Sequence, residues 1–192
     1  MSKLYQIKIQ LEEITPSIWR RVVIPSDMLL SDFHKVIQTV MGWENSHLHQ
    51  FIKDETFYLP RMKDDWTWNE MNNVDYKRWK VSGLLKKEND AIVYEYDFGD
   101  SWRHSILLEE ITDNPRGRKT PLCLDGERNC PPEDCGGVWG YEHLLKVIKD
   151  PSNEEYDDMM SWIDEEFDPE KFSVTDVNLR LKRKDFGQSS FW

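Results

Sequence analysis

The sequence predicts an α+β fold, a mostly antiparallel sheet packed with about four helices. Two observations carry this. Alternation of apolar and polar residues with period two marks the strands up to Leu108, and apolar stripes at helical spacing collect mainly after Gly137. Strands and helices are therefore largely segregated along the chain, which is the α+β pattern rather than the βαβ one.

The opening strand has Tyr5, Ile7, Ile9 and Leu11 on one face and Gln6, Lys8 and Gln10 on the other. Thr15-Pro16-Ser17 reads as a turn, and Ile18 to Ile24 as a returning strand ended by Pro25. A helix follows, with Ser31 as its cap, a stripe of Phe33, Val36, Ile37, Val40 and Met41, and Gly42 at the C-cap. A third strand is expected over His47 to Lys53. From Asp54 to Lys87 the pattern is weak, and Trp66, Trp68 and Trp79 lie among charges and Asn. This stretch reads as a long, partly irregular excursion packed down by its tryptophans, with a helical turn near Leu84-Leu85.

IVYEYDFGDSWRHSILL is the strongest hairpin signal. Opposite residues of an antiparallel pair share a face, so the hydrophobic pattern tests the loop length. A two-residue loop sets the tyrosine face against Arg103 and Ser105. A three-residue loop, Gly99-Asp100-Ser101, pairs Phe98 with Trp102, Tyr96 with His104 and Tyr94 with Ile106, and sets Asp97 opposite Arg103. The odd-length loop is the expectation. A loop from Thr112 to Gly137 leads to a helix striped by Tyr141, Leu144, Leu145 and Ile148 and stopped by Pro151. Ser152 with Glu155 reads as a capping box for a second helix carrying Tyr156, Met159, Met160 and Ile163. Ser173 with Asp176 reads as the cap of a third, with Val174, Val177, Asn178 and Leu181.

A chain of 192 residues suits one ordinary domain, here 1–192, and 39% hydrophobic residues with nine Trp can bury a sizeable core. The net charge of −11 argues against a general grip on nucleic acid, which needs a basic footprint. Arg20-Arg21 and Lys182-Arg183-Lys184 are short basic runs that read as solvated faces. No signal-peptide stretch opens the sequence, and no run of apolar residues would span a membrane, so no membrane partner is expected. Three cysteines are an odd number and need no disulfide, which suits the cytoplasm.

Four motifs in one order, PSIWRRVVIP, MGWENSHLHQF, YEYDFGDSWRH and NCPPEDCGGVWGY, closely resemble the plasmid pRiA Orf-three-like family. The resemblance covers nearly the whole chain and is weakest between about Asp54 and Lys80. It implies a compact α+β domain, widespread in prokaryotes and linked only by name to a resolvase-type passenger of insertion sequences. The motif positions with polar or aromatic chemistry become candidate binding residues: His47, His49, Tyr96, Asp97, Asp100, Trp102, His104, Glu133 and Asp134. Recombinase chemistry does not fit. The residues three after each histidine are Ile37, Gln50, Ile52, Leu107 and Lys146, so no His-x-x-Arg phosphate clamp exists. Ser2 and Ser17 are poor serine-recombinase nucleophiles.

His47 and His49, two apart on an expected strand, would point to one face as a pair of metal ligands, with His104 a third. The bland alternative is two ordinary sheet histidines. Cys130 and Cys135, with Cys123 upstream, have a spacing zinc sites tolerate, although no second Cys-x-x-Cys pair accompanies them. The competing reading makes them small buried hydrophobes in a loop stiffened by Pro131-Pro132 and turned by Gly136-Gly137. A nucleophilic cysteine would take His104 or His143 as its base. The carboxylates Asp97, Asp100, Asp125, Glu127, Glu133 and Asp134 could serve acid–base or cation chemistry, or simply be solvated.

The leading expectation is thus a binding or interaction module without catalysis, for a protein or small-molecule ligand. It needs no cofactor, unless the His and Cys residues meet to hold zinc or another divalent metal ion. The alternatives are a metal-dependent hydrolytic or regulatory protein using His47, His49, His104, Cys130 and Cys135, and a DNA-associated accessory factor of mobile elements.

Overall fold

The computed structural model describes residues 2–62, 68, 71–163 and 167–188. Its strands are β1 (Lys3–Leu11), β2 (Trp19–Pro25), β3 (His49–Lys53), β4 (Thr56–Leu59), β5 (Asn73–Asp75), β6 (Ala91–Tyr96), β7 (Trp102–Asp113) and β8 (Leu122–Glu127). Its α-helices are α1 (Leu30–Met41), α2 (Val81–Leu84), α3 (Gly137–Val147), α4 (Tyr156–Trp162) and α5 (Val174–Leu181). The strands form one sheet in the order β5-β4-β3-β6-β7-β1-β2-β8, antiparallel throughout except for β4 with β5. The α+β class is as the sequence predicts.

The alternation of β1 does what period two requires. Tyr5, Ile7, Ile9 and Leu11 are all buried, and Ile7 faces Val22 on one neighbour and Leu108 on the other. Against this face lies α1, whose Phe33, Val36, Ile37, Val40 and Met41 are buried. Gly42 ends α1 at φ 115°, a left-handed conformation that suits glycine, and its N–H returns to Gln38 O. The start differs from expectation. Leu29 is the N-cap, with no side-chain cap bond, and Ser31 lies one residue inside the helix.

The basic pair of β2 divides between the two faces. Arg21 is held by both carboxylate oxygens of Glu109, at 2.7 and 2.9 Å. Arg20 is not a solvated cation, because its even register turns it into the core. There Nε donates to Val40 O at the end of α1, and Nη1 donates to Trp19 O and Glu127 O. The C-terminal carbonyls of a helix lack intrahelical donors and carry partial negative charge, so they suit a buried guanidinium. The ring of Phe172 lies 3.9 Å from its Cζ. Burial lowers the pKa of Arg20 to about 10, which still leaves it charged.

Four further expectations need correction. The hairpin register is shifted by two residues: Tyr96 faces Trp102, Tyr94 faces His104 and Glu95 faces Arg103. The loop is Asp97 to Ser101, closed by Ser101 N–H on Asp97 O with both residues at positive φ. A shift of two preserves the parity, so the aromatic side stays inward. The expected loop after Thr112 contains β8, paired to β2. The expected excursion contains β4, β5, a 3₁₀ turn at Tyr76–Arg78 and α2. Trp79 there packs edge-on to Tyr58, whereas Trp66 lies outside the described residues. Finally, Ser152 does not cap α4; its hydroxyl bonds Asp150, whereas Ser173 does cap α5 by accepting from Asp176 N–H.

Candidate functional site

Three of the four sequence motifs converge at one end of the sheet. The segment between α1 and β3 contributes Trp43 to His47, the β6–β7 hairpin contributes Tyr96 to Asp100, and the loop before α3 contributes Pro131 to Cys135. Backbone-directed bonds lock them together. Trp43 Nε1 donates to Pro131 O, Gly136 N–H donates to Asp100 Oδ2, and Asp97 N–H donates to Leu48 O. Gly137 lies so close to the hairpin that a Cβ would stand 2.7 Å from Asp100 O.

At the junction lies an acidic pole around His47. The ring's Nδ1 is 3.7 Å from Asp97 Oδ2, and its Nε2 is 3.2 Å from Asp134 Oδ1 and 3.8 Å from Glu133 Oε2. Nε2 is inaccessible to solvent and has no geometrically sound hydrogen bond. Tyr96 supports the arrangement from below. Its hydroxyl accepts from Ser46 N–H and donates to Glu133 Oε1, and Glu44 N–H also donates to that carboxylate. Burial is the main force raising the pKa of Glu133, which these donors partly oppose. Asp97 Oδ1 accepts from Gly99 N–H, which leaves Oδ2 toward the imidazole. Among the described residues, His47, Asp97 and Asp134 form a set whose ligand atoms lie within 4.8 Å of one another. One nitrogen with hard oxygens suits a divalent cation of the manganese, iron or zinc type.

His49 is not on the same side as His47. β3 begins only at His49, so strand alternation does not extend back to His47. His49 instead stacks flat on His34 of α1, with centroids 3.4 Å apart and planes at 2°, and its Nε2 bonds Tyr76 Oη at 2.6 Å. His34 belongs to a closed circuit. Gln38 donates to Tyr94 Oη, Tyr94 Oη bonds His34 Nδ1, His34 Nε2 bonds Asn45 Oδ1, and Asn45 N–H returns to Gln38 Oε1. Because Asn45 Oδ1 only accepts, His34 Nε2 carries the proton and the Tyr94 hydroxyl donates to Nδ1. Burial lowers the pKa of His34 to about 4 and that of His49 well below the usual value.

His104 is fully buried, edge-on to Trp43, with Nδ1 3.1 Å from Trp102 O and 3.3 Å from Tyr94 O. Burial lowers its pKa to about 3. Trp102 is buried beside Trp43 and has no surface to offer a ligand. Cys130 is buried and Cys135 partly so, and burial raises both thiols, Cys135 to about 12. Burial thus gives neither cysteine the lowered pKa of an activated nucleophile. The expected set of His47, His49, His104, Cys130 and Cys135 does not come together; among the described residues the ligand atoms that gather are those of His47, Asp97 and Asp134. Sequence reading missed the network of His34, Gln38, Asn45 and Tyr76. Its one available signal was His34 with Gln38, two polar residues at i and i+4 alongside the apolar stripe.

Comparison with known proteins agrees with the motifs. Residues 3–176 match the family model described as plasmid pRiA4b ORF-3-like protein. A Sinorhizobium fredii protein named uncharacterized protein y4hQ is 35% identical over 164 residues, 84% of this chain and 81% of that protein. The crystal structure of MM3350 from Methanosarcina mazei Go1, titled a protein of unknown function, is similar with a TM-score of 0.81. It is 38% identical, and the match covers 92% of this chain and 98% of that one. Among the described residues, no helix is long and apolar enough to cross a membrane.

Proposed function

This chain belongs to the plasmid pRiA4b ORF-3-like family, and from that premise we propose that it is a cytoplasmic binding module without catalysis of its own, whose ligand-taking end is the acidic pole and whose first ligand is a divalent cation. The observation that carries this reading is the convergence of three separate loops on His47, Asp97 and Asp134, with Glu133 alongside. Mutually repelling carboxylates gathered around an imidazole gain from a cation that neutralises them. The raised thiols and the neutral buried histidines support the absence of a nucleophile–base pair. A net charge of −11 counts against duplex DNA as a ligand.

The test is thermal and chemical unfolding with manganese, zinc or nickel, each against a chelator. Binding at a hundred times the dissociation constant stabilises the folded state by about 2.7 kcal/mol. The expected result is a saturable rise that disappears in His47→Gln and Asp134→Asn; no response to any of the three ions removes the reading. A second reading assigns metal-dependent hydrolysis to the same pole. It is favoured by Glu133, whose raised pKa and 3.8 Å distance from His47 Nε2 suit a proton acceptor. Metal-dependent turnover of p-nitrophenyl phosphate, lost in Glu133→Gln, would select it over binding alone.

A further inference from the structure

A second site lies beyond the acidic pole, reached from the other side of Leu48. Two adjoining cavities of about 230 and about 420 Å³ share Leu48, His49, Pro60 and Met62 in their walls. Their combined span is of the order that small-molecule sites occupy. Four of the large apolar side chains that the fold leaves exposed, Leu48, Met62, Met71 and Phe98, gather along this one groove. Scattered exposed apolar residues need no explanation, but such a concentration marks a contact surface. Two of the four are methionines, whose flexible thioethers adapt to a ligand's shape.

The ends of the groove differ in polarity. Its floor is the stacked pair His34–His49, both buried, and burial keeps His34 neutral. Both nitrogens of His34 are occupied, as is Nε2 of His49, whereas His49 Nδ1 has no hydrogen bond among the described residues. The rim has Arg61, whose guanidinium lies 5.4 Å from the Trp68 ring centroid and, among the described residues, has no carboxylate partner. The neighbouring Lys35 is already paired to Asp185 at 2.7 Å. In a chain with 36 acidic residues against 25 Lys and Arg, an arginine left over at an apolar mouth offers charge complementarity to an anion.

We propose that this groove binds a small amphiphilic organic acid. Its aromatic or branched body lies along Leu48, Met62, Met71 and Phe98, and its carboxylate or sulfonate meets Arg61 at the rim. The uncharged floor accepts the body or one neutral hydrogen-bonding group, since an ion moved there would lose its hydration without a counter-charge.

The test uses two dyes with related aromatic bodies, anilinonaphthalene sulfonate and neutral N-phenyl-1-naphthylamine, titrated against the full chain in chelator. The expected result is saturable binding of both, with the sulfonate the tighter. Arg61→Gln should weaken the sulfonate about tenfold and leave the neutral dye unchanged, and Leu48→Asp should weaken both. Near-ultraviolet circular dichroism establishes that each variant keeps its fold, and methyl-labelled methionine spectra should shift at Met62 and Met71. No sulfonate binding to the native chain, equal effects of Arg61→Gln on both dyes, or shifts confined to other methionines would each overturn the proposal.

Discussion

The acidic pole around His47 and the buried network around His49 are built from the same kinds of side chain, a histidine and a tyrosine with polar neighbours, yet they have opposite chemistry. In the network every partner is neutral and buried. Gln38, Tyr94, His34 and Asn45 satisfy one another in a ring, so the polarity is consumed internally. At the pole the partners are carboxylates, and Asp134 is exposed. Its polarity is of one sign and reaches solvent at Asp134. The first arrangement rigidifies a core, and the second waits for a counter-charge. The chain crosses from one to the other within three residues, with Leu48 between them.

Acid should separate the two regions most. The folded pKa of His34 is lowered to about 4 and that of His104 to about 3, and His49 is lowered as well. An unfolded chain takes up these protons near pH 6.5, whereas the folded chain does not until far lower. The unfolded state therefore binds more protons over that window, and stability rises with pH there. Their contribution is complete above about pH 6.5 and is lost as pH falls toward 4 and 3. Urea unfolding should show a loss of several kcal/mol between pH 7 and pH 4.5, reduced in His34→Gln. A flat profile would falsify the picture of a neutral, buried network.

A smaller effect distinguishes the tyrosines. Tyr94→Phe removes the hydroxyl that Gln38 and His34 both use, at 3.0 and 2.8 Å, and strands two buried groups. The expected cost is about 1 to 3 kcal/mol. Tyr96→Phe frees groups that water can reach, so it should cost less; the reverse order, measured by denaturant titration, would break the comparison. Smallest of all is Asp134→Asn without metal. The residue is exposed, so the change in stability should stay within about 0.5 kcal/mol while the response to cations disappears.

Much of the sheet was legible because period two is a strong signal where one face is buried. Tyr5 to Leu11 show this, and so does the parity of the hairpin. The loop length was not legible, because Asp97 and Ser101 take positive φ and close a five-residue tip that no turn dipeptide announces. β8 was hidden because LCLDGE alternates weakly and contains Gly126. At the site, the motifs named the residues of the pole, but strand spacing applied to His47 and His49 paired the wrong ones. Arg20 looked like surface because charge alone does not tell which face of a strand a residue takes. Its register on β2 and its acceptors at Val40, Trp19 and Glu127 explain its place.

The close approach at Gly137 has a consequence for how this pole can vary. A Cβ there would press on the carbonyl of Asp100, and one at Gly140 would collide with the carbonyl of Cys135. Both glycines act through atoms they lack. Any heavier residue at 137 would act as a wedge, lifting the hairpin tip and drawing Asp97 and Asp100 away from the loop that holds Glu133 and Asp134. The separation between the acidic groups is thus gauged by a space with no room for a methyl group, and a wedge there would splay the ligand atoms without altering one of them.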